Sequence, residues 1–139
     1  MAVEMDLVYQ GNLHCQATHG PSGNTLVTDA PVDNGGQGSS FSPTDLVATA
    51  LGACMVTIMG IVAKRDGLAI EGTTVHVAKE MVQQPARRIG TLTVKIAVAG
   101  GSKISSEDRL KLERAALTCP VHKSLHPDIQ VPIEFHYTD

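Results

Sequence analysis

Cys54 and Cys119 are the residues with the most chemistry to offer. Cys54 lies inside the apolar run Leu46–Ala63, and Cys119 stands directly before a proline in Thr118-Cys119-Pro120-Val121-His122. A thiolate can be oxidised to a sulfenic acid, which a second thiol converts to a disulfide. One thiol inside a buried helix and another at a helix start are the parts of such a peroxide-reducing pair. Cys54 falls twelve positions beyond Ser42 (54 − 42), too deep for a helix dipole to lower its pKa, because that effect fades within the first turn. Its activation therefore calls for a nearby charge. Cys119 has local help, since a helix start presents free amides that favour a thiolate, and His122 is three positions on.

Each cysteine also has a simpler explanation, because unpaired Cys is among the most frequently buried residue types and packs as a small hydrophobe. A zinc site is a further alternative: Cys119-x-x-His122 is half of a Cys/His constellation, and His14, Cys15 and His19 form a second cluster. Along a strand, however, His14 and Cys15 face opposite sides, and Cys15 shares its face with Leu13 and Ala17, which makes it a core residue. His76, His126 and His136 fall on polar strand positions or beside a turn and are expected in solvent. Phosphate-loop, dinucleotide-binding and Ser-His-Asp signatures are absent, and Gly35-Gly36-Gln37-Gly38 follows no βα strand and reads as a flexible loop.

The elements that must position these residues follow from period and punctuation. Leu7/Tyr9 and Leu13/Cys15/Ala17 alternate with polar neighbours, and Gly20-Pro21-Ser22-Gly23-Asn24 is a turn before Thr25–Thr28, which predicts antiparallel strands. Between Asp29 and Ser40 the composition shifts to Pro, Asn, Gly, Gln and Ser, an exposed loop long enough to be functional. Ser42 then suits an N-cap, Pro43 the first helical position and Asp45 the third, where a carboxylate reaches back to the cap amide. From Leu46 to Ala63 no residue is charged and apolar or small side chains occupy every face, so this helix is predicted to be buried all round. Its 18 residues sit at the lower edge of a membrane-spanning length. Thr49, Gly52, Thr57 and Gly60 dilute it, and the strand-rich flanks favour a soluble core over a membrane. Lys64-Arg65-Asp66-Gly67 ends it with cations in the last turn.

Further on, Val75/Val77 and Leu92/Val94/Ile96/Val98 alternate as two strands of a hairpin around Gln83–Arg88. Ser105 caps a second helix with Asp108 at its third position, and Pro120 breaks the chain at Cys119 and starts a short helix. The strand Val131–Tyr137 carries a proline and belongs at an edge. No repeat or linker is visible, so the prediction is one α+β domain over 1–139.

With 139 residues the chain fits a single core. Eleven basic against fourteen acidic residues leave a net charge of −3, with no basic stripe to neutralise phosphates, so nucleic acid is not an expected partner. Two Phe, two Tyr and no Trp supply no base-stacking platform. The acidic start Met1–Asp6 lacks the Lys or Arg and the apolar stretch of a secretory signal, which predicts a cytoplasmic location. Three cysteines in a reducing compartment do not make a structural disulfide framework.

Ser42-Pro43-Thr44-Asp45-Leu46, Ala50-Leu51-Gly52-Ala53-Cys54, Cys119-Pro120-Val121-His122-Lys123 and the closing Ile-Gln-Val strand together resemble the OsmC/Ohr family of osmotically induced and organic hydroperoxide resistance proteins. The resemblance spans essentially the whole chain. It implies an OsmC-like fold of antiparallel sheets around a long central buried helix, in an intertwined homodimer with both active sites at the subunit interface. It implies a thiol peroxidase in which Cys54 attacks the peroxide, Cys119 resolves the sulfenic acid, and a dithiol of lipoyl or thioredoxin type restores both, with no metal or other cofactor. Family peroxidases carry a Glu directly after the helix-starting Pro and an Arg in the early hairpin. Here Thr44 holds the Glu position with Asp45 beside it, and Leu7–Thr28 contains neither Arg nor Lys. Thr44, Asp45 and His122 are thus the candidate supporting residues. The alternative is a catalytically weak relative that binds a small apolar or thiol ligand at the dimer interface.

Overall fold

A computed structural model describes residues 1–139. The chain is mixed α+β and divides into two compact units, Met1–Val47 and Ala48–Asp139.

The first unit is an antiparallel meander of β1 (Met5–Gly11), β2 (His14–His19) and β3 (Thr25–Asp29), in that order. Asn12 and Leu13 link β1 to β2 with φ of 52° and 62°, the signature of a two-residue type I′ turn. Leu13 is therefore a turn residue, where alternation predicted a strand residue. Apolar patterning cannot report a left-handed backbone, and Leu is a poor marker of one. Cys15, expected in the core, is half-buried opposite Tyr9 and Thr28. The predicted loop from Asp29 to Ser40 is not uniformly exposed either, since its first residue ends β3. Asp29 is 1 % exposed, and its Oδ2 accepts hydrogen bonds from the Ser39 amide at 2.9 Å and the Ser39 hydroxyl at 2.7 Å. That clamp closes the loop and delivers the chain to the next helix.

The helix starts as its sequence dictates. In α1 (Pro43–Arg65), the Asp45 amide donates to Ser42 Oγ at 3.1 Å and the Ser42 amide donates to Asp45 Oδ2 at 2.9 Å. This reciprocal capping box satisfies two of the orphan amides that every helix start carries.

In the second unit, β4 (Thr74–Val82), β5 (Arg88–Val98) and β6 (Ile133–Tyr137) form one sheet in that order. The β4–β5 hairpin is antiparallel, with a bulge at Glu80/Met81. β6 lies at the edge and runs parallel to β5; it begins at Ile133, so Pro132 stands just before the strand predicted from Val131. A uniformly antiparallel sheet was expected; the crossover through α2 (Ser106–Ala116) and α3 (Pro120–Ser124) returns the chain in the parallel sense. Leu92, Val94, Ile96 and Val98 on one face of β5 are fully buried, as are Leu51, Met55 and Met59 of α1 and Leu112 and Ala116 of α2. The helix approaches β4 closely at Gly52, where a Cβ would meet Val77 Cγ2 at 2.9 Å and Val75 Cγ1 at 3.1 Å.

Within one chain α1 is not buried all round. Leu51, Met55, Met59 and Val62 pack inward, while Ala50, Ala53, Thr57 and Ile61 form an open stripe on another face, with Ile61 59 % exposed. An uncharged helix is consistent with burial in its own core or against another surface, and composition does not separate the two. α1 is also long and apolar enough to cross a membrane by length and composition; its buried face packs against the sheet instead.

Candidate functional site

Cys119 is set by two breaks in the chain. α2 ends at Ala116, and the Cys119 amide donates to the Ala116 carbonyl at 3.3 Å. Pro120 opens α3, so Cys119 takes an extended backbone (φ −61°, ψ 137°) and becomes the N-cap. Its Sγ does the work that Ser or Asp does elsewhere, accepting from the His122 amide at 3.2 Å. The side chain is completely buried.

The Cys54 thiol neighbours the Cys119 thiol closely enough to raise its pKa, although 65 residues (119 − 54) separate them in the chain. Cys54 is half-buried on α1, between the core residues Leu51 and Met55. Both cysteines are free. Burial pushes the Cys119 thiol above its ordinary value, and the neighbouring Cys54 adds to the rise through its hydrogen bond and charge. The amides of His122 and Val121 pull the other way without prevailing. The helix start was expected to favour a thiolate at Cys119, and its amides are indeed aimed at the sulfur. Desolvation outweighs them in so short a helix, so Cys119 is held as a thiol at neutral pH.

The other candidates occupy distinct places. Thr44 and Asp45 belong to the start of α1, where Ser42 Oγ lies 3.2 Å from Thr44 Oγ1 and Asp45 completes the capping box. The His122 backbone touches Cys119, and its imidazole Nδ1 is buried without any hydrogen-bond partner. No group of three or more His, Cys, Asp or Glu side chains is arranged to hold a metal ion.

One polar cluster escaped the sequence reading. His14 Nε2 lies 3.1 Å from Asp29 Oδ1, and the Ser39 bonds, with a smaller contribution from His14, depress the Asp29 carboxyl to about 2. The signal was available: once the Gly20–Asn24 turn fixes the β2–β3 register, His14 pairs directly with Asp29. A cleft of about 590 Å³ also opens beside the last turns of α1, lined by Val56, Gly60, Leu68 and Ile70 together with Lys64 and Glu71.

Comparison with known proteins agrees with this architecture. The profile of the OsmC-like protein family matches residues 36–134. A crystal structure from Psychrobacter arcticus, provisionally described as an osmotic stress induced and detoxification response protein, is 43 % identical, with a TM-score of 0.89 over 98 % of this chain and 96 % of that one. An organic hydroperoxide resistance protein OsmC from Legionella pneumophila shares the fold at 16 % identity, with a TM-score of 0.75 over 98 % of this chain and 97 % of that one. The organic hydroperoxide resistance protein OhrB of Bacillus subtilis does so at 18 % identity, with a TM-score of 0.68 over 97 % and 98 %. No curated protein sequence matches significantly. With a family profile covering most of the chain and a relative this similar over nearly its whole length, the protein belongs to the OsmC-like family.

Proposed function

We propose that this protein is a cytoplasmic thiol peroxidase that reduces organic hydroperoxides or hydrogen peroxide in oxidative-stress defence. The observation that carries this reading is the juxtaposition of two free thiols, Cys54 and Cys119, the second held protonated by burial. Names of structural relatives in hydroperoxide resistance support the substrate class. The Cys54 thiolate attacks the O–O bond, giving a Cys54 sulfenic acid and releasing the alcohol or water. The Cys119 sulfur then displaces hydroxide from the Cys54 sulfur, which leaves as water, and an S–S bond forms. An external dithiol of lipoyl or thioredoxin type returns two hydrogens and two electrons. This division of labour assigns Cys119 to resolution, because a thiol reacts only after losing its proton, whereas the first attack needs a standing thiolate.

The working state in this reading is a homodimer. Leu7, Val8 and Tyr9 of β1 are each about two-thirds exposed although they alternate across both faces of the sheet, and α1 carries its own open stripe. A second copy of the chain is the proposed cover for both.

Peroxide consumption measured with lipoamide and thioredoxin supplied separately tests the reading. Turnover should vanish in Cys54→Ser, and Cys119→Ser should stop after one equivalent at the sulfenic acid. Equimolar peroxide should give one 54–119 disulfide and leave Cys15 free. The cleft beside α1 favours a second reading, retention of a small apolar or thiol ligand; a wild-type protein inert to peroxide with both reductants would favour that one.

A further inference from the structure

Two thiols brought together by a fold are a ligand set as well as a redox pair, and their surroundings decide which ion they suit. Cys54 and Cys119 are both free and interact although 65 residues (119 − 54) separate them. Cys119 is completely buried, and Cys54 is half-buried on a helix that carries no charged side chain from Leu46 to Ala63. The Cys119 sulfur accepts from the His122 amide at 3.2 Å, and the Val121 amide also favours its ionised form. Hydrogen-bond donors of this kind are the outer partners that a metal-bound thiolate uses. Here they are outweighed by desolvation. A cation bonded directly to the sulfur reverses that balance, because a coordinating thiol loses its proton outright.

The number of donors then selects the ion. Zinc takes four ligands, or three and a water, and no group of three or more His, Cys, Asp or Glu side chains is arranged to hold an ion. Cys119-x-x-His122 does not supply the missing donor, since the histidine meets the sulfur through its backbone amide. Calcium and magnesium need several oxygens. Cu(I) is different: it is soft, thiolates select it, and two sulfurs in line satisfy it. We propose that Cys54 and Cys119 form a two-coordinate thiolate site for Cu(I). The inference goes beyond the peroxidase reading and does not rest on turnover. Each sulfur donates an electron pair to the ion, any proton it carried passes to solvent, and nothing is oxidised or reduced. Cys54, the less buried of the two, is the point of entry.

The reduced protein, kept free of oxygen, is titrated against the coloured Cu(I) complex of bicinchoninate, which a tighter site bleaches. Wild type and Cys15→Ser should each withdraw one equivalent. Cys54→Ser and Cys119→Ser should each lose affinity by at least about 10²-fold, the scale on which two linked contacts exceed one. Affinity should rise about tenfold per pH unit for each proton displaced. X-ray absorption at the copper edge of the wild-type protein needs no variant and is immune to a folding defect. It should show two sulfur neighbours and no nitrogen. Binding untouched by Cys54→Ser, a third ligand on the ion, or Zn(II) held as tightly as Cu(I) would overturn the proposal and leave the peroxidase reading intact. A copper-free wild-type protein that consumes no peroxide while its copper site titrates as expected would overturn the peroxidase reading alone.

Discussion

The two sheets of this protein both carry apolar strands and end in opposite situations. β5 buries Leu92, Val94, Ile96 and Val98 completely. β1 leaves Leu7 and Val8 64 % and Tyr9 65 % exposed, on both faces of a three-stranded sheet. Three strands need at least one covered face to be stable in water. The second unit therefore carries its own core, whereas β1 of the first keeps these apolar side chains open. The sulfur pair belongs to the second unit, and the exposed β1 side chains to the first.

The same substitution should behave differently in the two sheets. Leu92→Ala should cost about 2–5 kcal/mol, independently of protein concentration, because its neighbours belong to the same chain. Leu7→Ala should cost about 1–2 kcal/mol of apolar burial only in an assembled state, so its effect on melting temperature should grow on dilution. Thermal unfolding of both variants across a hundredfold concentration range checks this. A Leu7→Ala effect indifferent to concentration, or a folded wild-type monomer at micromolar concentration, would break the contrast.

How much of this was legible in the sequence follows the same division. Local signals were read correctly: the Ser42/Asp45 capping box, the Ser105 cap with its bond from the Asp108 amide at 3.1 Å, the β4–β5 hairpin and the break at Cys119 all lie within a few residues of the side chains that cause them. Relations between distant residues were not read from periodicity. The pairing of Cys54 and Cys119 came from the settings of the two thiols and from a family resemblance, and the His14–Asp29–Ser39 cluster was not read at all, because its members are 15 and 10 residues apart (29 − 14 and 39 − 29). The parallel return of β6 was implied by the two helices before it. The open stripe on α1 was hidden because apolar patterning says that a face is covered and never by what.

The most strongly shifted groups of the two units, Asp29 and Tyr137, lie at opposite ends of the pH scale, while Asp66 and Asp139 of the second unit are lowered as well and add an acid loss there. Asp29 has its carboxyl lowered to about 2, first by the Ser39 amide and hydroxyl and then by His14. A lowered pKa means that the folded state prefers the carboxylate. The stabilisation is complete above the ordinary value of 3.8 and is lost as pH falls from about 4 toward 2. Cys119 has the reverse sign: its raised pKa means that the folded state prefers the thiol. That contribution is complete below the ordinary value of 9.0 and is lost as pH rises through the folded value. Tyr137, raised by burial and by the bond to Glu113, adds to the alkaline loss. Amide exchange at Ser39 should accelerate on acidification before exchange in β5 does, and Asp29→Asn should remove that dependence. Cys119→Ala should blunt the alkaline loss of stability in the second unit. Simultaneous exchange of both sheets at acid pH would show one cooperative unit and remove the distinction.

The smallest expected effect lies in the hairpin that begins the exposed sheet. Leu13 holds a φ of 62° beside Asn12 at 52°, a conformation costing a residue with a Cβ roughly 1–2 kcal/mol and one for which type I′ turns favour Asn-Gly. Leu13→Gly creates that pair. It relieves the strain and gives back part of the gain by loosening the unfolded chain. The Leu13 side chain is 44 % exposed and lies against Gly35, so little packing is lost within one chain. A net gain of about 0.5 kcal/mol is expected, read as a small rise in melting temperature that is the same at every concentration. A fall that deepens on dilution would mean that this leucine is kept in an unfavourable turn for the surface it offers to a second copy. That outcome would extend the proposed contact with a second copy from the strands of the first unit to its turn.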